Sequence, residues 1–183
     1  MPAEAAQGAW QALVPHPRTP CGALHAVHAA LSRADARRWR ACFRFQGRIA
    51  ALRVPPPEPA RRADGLWRHL CGEVFAMAAD GSYAEFNFAP SGCWAAYQFD
   101  GYRSGMRDAA FTEEPVVTCR HDEHSLELQA LLALPPAVSA SEAPRVALCA
   151  MVEEADGRLS CWAVSHGDEP DFHRAGGFVA LPR

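Results

Sequence analysis

The chain has 183 residues, with 18 basic and 21 acidic side chains and a formal net charge of −3. This length is typical of one domain with its own hydrophobic core, and the near-neutral charge argues against a nucleic-acid partner, which would require a basic surface. Every basic residue is an arginine, so reactions that need a Schiff-base lysine and phosphate-binding loops that need a lysine are excluded.

The N-terminal segment and the cysteines indicate where the protein resides. Residues 1–8 contain no basic stretch followed by an apolar one, so no secretory signal is predicted. No run of the sequence approaches the roughly 18 apolar residues of a membrane span. The seven cysteines form no CxxC motif, which excludes the common zinc and thioredoxin-type motifs and favours buried, reduced thiols. We therefore expect a cytoplasmic protein without a membrane partner.

Residues 1–20 hold four prolines and are predicted to form an irregular lead-in before a single domain over residues 21–183. Within that domain apolar and polar residues alternate with a period of two, for example from Trp39 to Gln46, and this alternation is typical of half-buried strands. The predicted strands cover residues 23–31, 39–46, 70–77, 82–88, 94–100, 116–120, 126–132, 146–152, 158–165 and 178–181.

Turn residues separate these strands. Asp80-Gly81 and Asp156-Gly157 each lie between two predicted strands and are typical of tight hairpins. The proline-rich run 54–59 and the segment 135–144 are predicted connectors. Short helices are expected only at 3–12 and 102–111. Together these signals predict an all-β fold, an immunoglobulin-like β-sandwich of about ten antiparallel strands with one or two short helices.

The densest group of polar and aromatic residues spans 66–106. A hairpin at Asp80-Gly81 would place Glu73 opposite Asn87, and Phe75 opposite Glu85. Because side chains alternate along a strand, one face would carry the residues Glu73, Phe75, Met77, Tyr83, Glu85 and Asn87. The opposite face would carry Leu70, Val74, Ala84, Phe86 and Phe88 and must be the core. A face that mixes carboxylates, an amide and aromatics suits a polar ligand with apolar surfaces, above all a sugar.

Three interpretations of the two glutamates stay open. Diagonal neighbours on paired strands lie about 7–8 Å apart, which is within the range of an inverting glycosidase pair. Alternatively, Glu73 and Glu85 neutralise arginines such as Arg68 or Arg103. We favour ligand binding without catalysis, because any sheet with two glutamates can place their carboxyl groups at such a distance.

The C-terminal stretch 161–173 is the second candidate region. His166 and His173, with the acidic residues Asp168, Glu169 and Asp171 between or beside them, could supply metal ligands from a loop. We favour a structural histidine or a hydrogen bond to a ligand, because loop spacing of this kind is unspecific. The segment 121–124, with histidines at both ends, is interpreted as a polar turn. Met77, Met106 and Met151, together with histidines, would allow a haem site.

At these residues the sequence resembles a known family. The segments LWRHLCGEVF (66–75), YAEFNFAPSGCWAAYQFDGYRSGM (83–106) and CWAVSHGDEPDFH (161–173) resemble bacterial DOMON-like domain proteins, which are similar to family 9 carbohydrate-binding modules. The resemblance extends from about residue 21 to the C-terminus. It implies an immunoglobulin-like β-sandwich that binds a sugar or haem without known catalysis.

The family motif, carried over by position, falls on Glu73, Tyr83, Glu85, Asn87, Trp94, Arg103, Asp171 and His173. The chain departs from the motif just before the first glutamate, where Leu70-Cys71-Gly72 stands in place of threonine, cysteine and a bulky residue. A glycine in mid-strand is typical of a bulge or of a close backbone approach. A bulge at Gly72 would reverse the face on which Glu73 lies.

We therefore predict a non-catalytic β-sandwich that binds a small polar ligand, a saccharide or a nucleotide sugar. Trp67, Trp94 or Trp162 would stack on its apolar face, although Trp94 and Trp162 also suit a sandwich core. The predicted polar contacts are Glu73, Tyr83, Glu85, Asn87, Arg103, His166, Asp171 and His173. No cofactor is predicted, and the oligomeric state stays open. The alternatives are a haem-binding or redox module and a metal-assisted hydrolase that uses His166 and His173.

Overall fold

The computed structural model of this chain describes residues 9–110 and 113–181. In that part of the chain twelve strands pair antiparallel, which confirms the predicted all-β sandwich. The strands are β1 (Gln11–Pro15), β2 (Leu24–Arg33), β3 (Arg38–Gly47), β4 (Cys71–Met77), β5 (Tyr83–Phe88), β6 (Trp94–Phe99), β7 (Arg107–Asp108), β8 (Val116–His121), β9 (Ser125–Ala133), β10 (Arg145–Glu153), β11 (Leu159–Ala163) and β12 (Val179–Ala180). The described residues contain no helix long and apolar enough to cross a membrane.

The strands form two layers. The front sheet has the order β7-β6-β5-β4-β10-β11, with β12 also paired to β10, and the back sheet has the order β2-β3-β9-β8. Strand β1 joins the two layers, because its first half pairs with β2 and its second half pairs with β11. The prediction of an irregular lead-in is therefore wrong for residues 11–15. Pro15 is tolerated at the last position of this strand, because the next residue, His16, supplies the backbone N–H that bonds to Cys161 (2.8 Å).

The main core lies between the two sheets and follows the alternation of the sequence. The back sheet contributes Phe43, Phe45 and Leu128, and the front sheet contributes Phe86 and Phe88, all of them at most 1% exposed. These buried aromatic and aliphatic side chains stabilise the fold mainly through the apolar surface they remove from water.

Gly72 allows the two sheets to approach each other closely. A Cβ atom at this position would lie 2.5 Å from the ring of Phe43, so no larger residue fits without displacing that ring. Strand β4 continues through Gly72 in register, with Phe88 on one side and Ala150 on the other. There is no bulge, and Glu73 therefore keeps the face predicted for it.

Both predicted helices are corrected. Residues 3–8 of the segment 3–12 lie outside the described residues, and its end enters strand β1. The segment 102–111 instead forms a turn closed between Gly101 and Ser104, followed by β7; residue 111 lies outside the described residues. Helical turns occur at Ile49–Ala51, Leu66–Arg68, Pro136–Ser139 and Ala175–Gly177. The turn at Pro136–Ser139 lies in a predicted connector and begins at a proline, whose fixed φ suits a first helical position.

Candidate functional site

The outward face of the front sheet is buried, although it points away from the main core. Every residue of β4 and β5 is buried, whereas strands at the surface of a sandwich usually expose one face. The segment 164–178, here called the C-terminal loop, covers this face and packs Phe172 and Phe178 against Phe75. Phe75, Tyr83, Tyr97, Phe99 and Phe178 belong to this second apolar cluster.

Between the C-terminal loop and the front sheet lies a cavity of about 410 Å³, here called the front cavity. Two carboxyl groups, those of Glu73 and Glu85, face it from the sheet. Its aromatic lining comes from Tyr97 and Phe99 of β6, from Phe172 and from Trp67. Trp67 is 44% exposed and therefore stands where the cavity meets solvent. The volume is within the range of small-molecule sites.

The register of β4 and β5 brings the two glutamates together. Glu73 pairs with Asn87, and Phe75 pairs with Glu85, as the sequence predicted. The Nδ2 of Asn87 donates to Oε1 of Glu85 (2.8 Å), and the thiol of Cys71 donates to Oε1 of Glu73 (3.5 Å). Glu73 and Glu85 are only 2% and 5% exposed.

Burial and mutual repulsion set the protonation of this pair. Burial, together with the charge of Glu85, raises the pKa of Glu73 well above its usual value. Burial also raises the pKa of Glu85, but the hydrogen bond from Asn87 and the charge of Arg103 oppose that rise. Since Glu73 has only a thiol to support its ionised form, we assign the proton of the pair to Glu73. The cavity then offers a carboxylic acid beside a carboxylate.

His173 stands beside Glu85 as a neutral imidazole. Burial, with a contribution from the charge of Arg103, lowers its pKa from 6.5 to about 4. Its Nδ1 lies 2.8 Å from the hydroxyl of Tyr83, and its Nε2 lies 3.7 Å from Oε2 of Glu85. The hydroxyl of Tyr83 already accepts from the backbone N–H of Arg103 (3.1 Å). If this hydroxyl donates to Nδ1, Nε2 carries the hydrogen and directs it towards Glu85.

Arg103 and Asp171 fasten the C-terminal loop to the turn between β6 and β7. The guanidinium of Arg103 donates to Oδ1 of Asp171 (2.7 Å), and the hydroxyl of Tyr102 donates to Oδ2 (2.7 Å). Burial raises the pKa of Asp171, but these hydrogen bonds outweigh it, so the pKa is lowered overall. Arg103 adopts a left-handed backbone with φ of 52°. For a residue with a side chain this conformation costs about 1 kcal/mol, which these contacts offset.

The structure brings together most of the predicted site residues. Trp67, Glu73, Glu85, Arg103 and His173 line the front cavity. The residues Tyr83, Asn87 and Asp171 lie behind them and hold His173, Glu85 and Arg103, respectively.

Three of the predicted site residues lie outside the front cavity. Trp94 and Trp162 are 4% and 3% exposed and belong to the main core between the sheets, so neither ring faces the front cavity. The indole of Trp162 donates to the hydroxyl of Ser160 (2.9 Å). His166 is separated from the site and lines a smaller cavity of about 190 Å³, where its Nε2 lies 2.8 Å from the carbonyl oxygen of Val14. Large aromatic side chains commonly fill sandwich cores, and both tryptophans pack there.

The predicted metal ligands do not converge. Among residues 9–110 and 113–181, no group of three or more His, Cys, Asp and Glu side chains is placed to hold a metal ion. His166 and His173 line different cavities, which removes the basis for a hydrolase that uses both. The segment 121–124 is the predicted polar turn between β8 and β9, where Asp122 accepts from the backbone N–H of His124 (2.8 Å).

Two methionines and Cys161 also line the front cavity, and two further cysteines lie on the same sheet face. Met106 and Met151 line it, whereas Met77 is packed in the second apolar cluster. The thiols of Cys71 and Cys149 lie on the same sheet face, and burial raises the pKa of each well above its usual value. Such thiols are unreactive at neutral pH. The described cysteines are all free, and most of them are buried, as predicted.

Sequence reasoning missed several lining residues. Tyr97 and Phe99 alternate on β6 in phase with Glu85 and Tyr83, which pair with them, so the alternation already contained this signal. The hydroxyl of Tyr97 donates to Asp64 (2.7 Å), which fixes the ring. Phe172 gave no such signal, because it lies in an irregular loop whose path is set by tertiary contacts.

Comparisons with known proteins give the fold but no family. No protein-family model matches the chain, and no curated protein sequence matches it. Among solved structures, a proposed carbohydrate-binding protein from Bacteroides uniformis is similar with a TM-score of 0.68 and 15% identity, over 95% of this chain and 85% of that chain. A family 9 carbohydrate-binding module from Caldicellulosiruptor kristjanssonii gives a TM-score of 0.48 in its cellotriose complex (10% identity, 85% of this chain and 71% of that chain) and 0.45 in its glucose complex (12% identity, 86% and 74%). The first of these similarities supports the β-sandwich described above.

Proposed function

We propose that this protein is a non-catalytic saccharide-binding protein that holds its ligand in the front cavity. The observation that carries the proposal is the position of a buried acid pair, Glu73 and Glu85, beside aromatic side chains in one open cavity of about 410 Å³. A saccharide needs both kinds of surface, because its hydroxyl groups require hydrogen-bond partners and its C–H faces require apolar contact.

Each part of the cavity suits one part of a sugar ring. The aromatic rings of Tyr97, Phe99 and Trp67 offer apolar faces for the C–H surface. The carboxylate of Glu85 accepts hydrogen bonds from hydroxyl groups, and the protonated Glu73 donates one. Charge-assisted hydrogen bonds of this kind are the stronger ones in proteins, so Glu85 supplies the principal polar contact.

The arrangement of the two acids favours binding over hydrolysis. Inverting glycosidases place an acid and a base on opposite sides of the scissile bond, with a water between the base and the sugar. Glu73 and Glu85 project from the same face of adjacent strands and approach a ligand from one side. This geometry supports recognition without bond cleavage.

A similarity of fold supports the proposal, and the cysteines indicate a compartment. The Bacteroides uniformis protein of the same fold is itself a proposed carbohydrate-binding protein. The free cysteines of the described chain suit a reducing compartment, so we place the protein in the cytoplasm.

A saccharide array followed by isothermal titration calorimetry tests the function. We expect wild-type protein to bind at least one mono- or disaccharide, and Glu85→Ala to weaken that binding by about tenfold or more, the loss expected for a charge-assisted hydrogen bond. The matched control is Glu127→Ala on β9, where the carboxylate pairs with Arg44 on the back sheet. Equal binding by Glu85→Ala and wild type would place the ligand elsewhere.

A further inference from the structure

The acid pair of the front cavity lacks a cation of its own. Neither Glu73 nor Glu85 forms an ion pair with an arginine within the described residues. The nearest arginine of the cavity, Arg103, binds Asp171 instead (2.7 Å). The imidazole that approaches Glu85 to 3.7 Å is neutral. Buried carboxylates are normally paired, so the missing positive charge is a property of the site that a ligand can supply.

A positive charge supplied by a ligand would lie next to Glu73. Its side chain is 2% exposed, and it faces the front cavity. Cys71 donates to its Oε1, whereas no described residue donates to its Oε2. Among residues 9–110 and 113–181, we find one contact to Oε2 of Glu85, the long one to His173. Because Glu73 and Glu85 are diagonal neighbours on paired strands, a small donor group between them can reach both free oxygens.

The groups that face the acid pair come from every neighbouring element. They are Cys71 on β4, Tyr83 and Asn87 on β5, Tyr97 on β6, Cys149 on β10, Cys161 on β11, Arg103 of the β6–β7 turn, and His173 of the C-terminal loop, whose Asp171 contacts Arg103. Of these only Arg103 is positively charged, and Asp171 balances it. The charge of the cavity is therefore negative, which disfavours phosphorylated or uronic-acid ligands and nucleotide sugars.

We propose that the front cavity prefers an amino sugar, with the ligand's ammonium group seated between Glu73 and Glu85. This inference rests on the proposed saccharide-binding function. An ammonium group presents three N–H donors and one positive charge, which match the two free carboxyl oxygens and the excess negative charge. On binding, the carboxylic acid of Glu73 releases its proton to solvent, and two carboxylates then share the ligand's charge. No covalent bond to the ligand forms or breaks.

Calorimetry with D-glucosamine, N-acetyl-D-glucosamine and D-glucose tests the preference. The three ligands share one ring, and only the first carries a charge at about pH 6.5, where an ordinary amine is mostly protonated. We expect glucosamine to bind at least about tenfold more tightly than the two neutral sugars. Repeating the titration in buffers of different ionisation enthalpy should show release of up to about one proton for glucosamine and none for glucose.

Two variants connect the preference to the acid pair. In Glu73→Gln the proton release should disappear, and the ratio of glucosamine to glucose affinity should fall at least about threefold below its wild-type value, because Glu85 is then the only carboxylate beside the ammonium group. In the matched control Glu127→Gln on β9, both quantities should keep their wild-type values, because this glutamate lies on the back sheet.

The outcomes separate this inference from the proposed function. If glucose binds as tightly as glucosamine, or if Glu73→Gln keeps the wild-type ratio of the two affinities, the amino-sugar inference is overturned and saccharide binding stands. If none of the three sugars binds, and the wider array is also negative, both are overturned. Tighter binding of glucosamine with proton release that depends on Glu73 supports both.

Discussion

The neutral state of His173 makes a quantitative prediction about stability. Burial, then the charge of Arg103, lowers its pKa from 6.5 to about 4 in the folded protein. A histidine with a lowered folded-state pKa stabilises the fold above its unfolded pKa, and this contribution is lost as the pH falls towards the folded value. Each unit of pKa shift corresponds to about 1.4 kcal/mol, so the shift amounts to about 3 kcal/mol in total. The side chain of His173 is only 13% exposed, so solvent screens this contribution little.

The predicted perturbation is a change of pH combined with His173→Asn. Asparagine keeps a hydrogen-bond acceptor near the position of Nδ1, so Tyr83 retains a partner. Between about pH 7 and pH 5 the wild type should lose about 2 kcal/mol of its free energy of unfolding through this group, and the variant should not. The difference between the two proteins at each pH cancels the contributions of titratable groups that do not contact His173.

Urea denaturation at several pH values measures this difference. The m-value should stay constant for each protein, so that a shift in midpoint reports stability alone. His124→Asn, in the exposed turn between β8 and β9, controls for the loss of an imidazole outside the site. Parallel pH dependence for wild type and His173→Asn would refute the buried, neutral state assigned to His173.

Three further predictions concern packing, the loop and the cofactor. Gly72→Ala should lower the free energy of unfolding in urea denaturation by about 1–3 kcal/mol, because its Cβ would overlap the ring of Phe43. Gly176→Ala is the control, because a Cβ at that position would meet open space. Asp171→Asn should lower the free energy of opening the C-terminal loop by about 1–3 kcal/mol, the value of a hydrogen bond to a charged group. Faster amide exchange at residues 172–178 than in wild type would show this, and unchanged exchange would contradict it. Purified protein should be colourless, and added haemin should give no shifted Soret band, whereas a shifted band would support the haem alternative.

The sequence was sufficient for the site wherever strand alternation and turn chemistry agreed. Asp80-Gly81 set the hairpin, and the alternation of β4 and β5 then predicted the partners of Glu73 and Phe75 correctly. The same reasoning would have found Tyr97 and Phe99 on β6. Local patterns of this kind predict register because a slip by one residue would move every apolar side chain to the wrong face.

Other features could not be predicted, because they depend on contacts distant in sequence. Strand β1 lies in a proline-rich segment, and its pairing with both β2 and β11 is decided by the closure of the two sheets. The segment 102–111 has no residue that forbids a helix, but the hydrogen bond between Asp100 and Ser104 closes a turn there. Trp94 and Trp162 pack in the main core, although both lie in segments that resemble a ligand-binding family.

The site exists because one face of the front sheet is covered without being filled. An ordinary sandwich strand exposes its outward face, so a glutamate there stays solvated and keeps its usual pKa. Here the C-terminal loop brings Phe172 and His173 over that face, which removes Glu73 and Glu85 from water but leaves about 410 Å³ between loop and sheet. Desolvation raises the pKa values of the acid pair, so that the pair holds a proton, and no arginine among the described residues pairs with either carboxyl group. The same loop is fastened by Asp171 and Arg103, so ligand affinity and loop stability should change together in any variant of that ion pair.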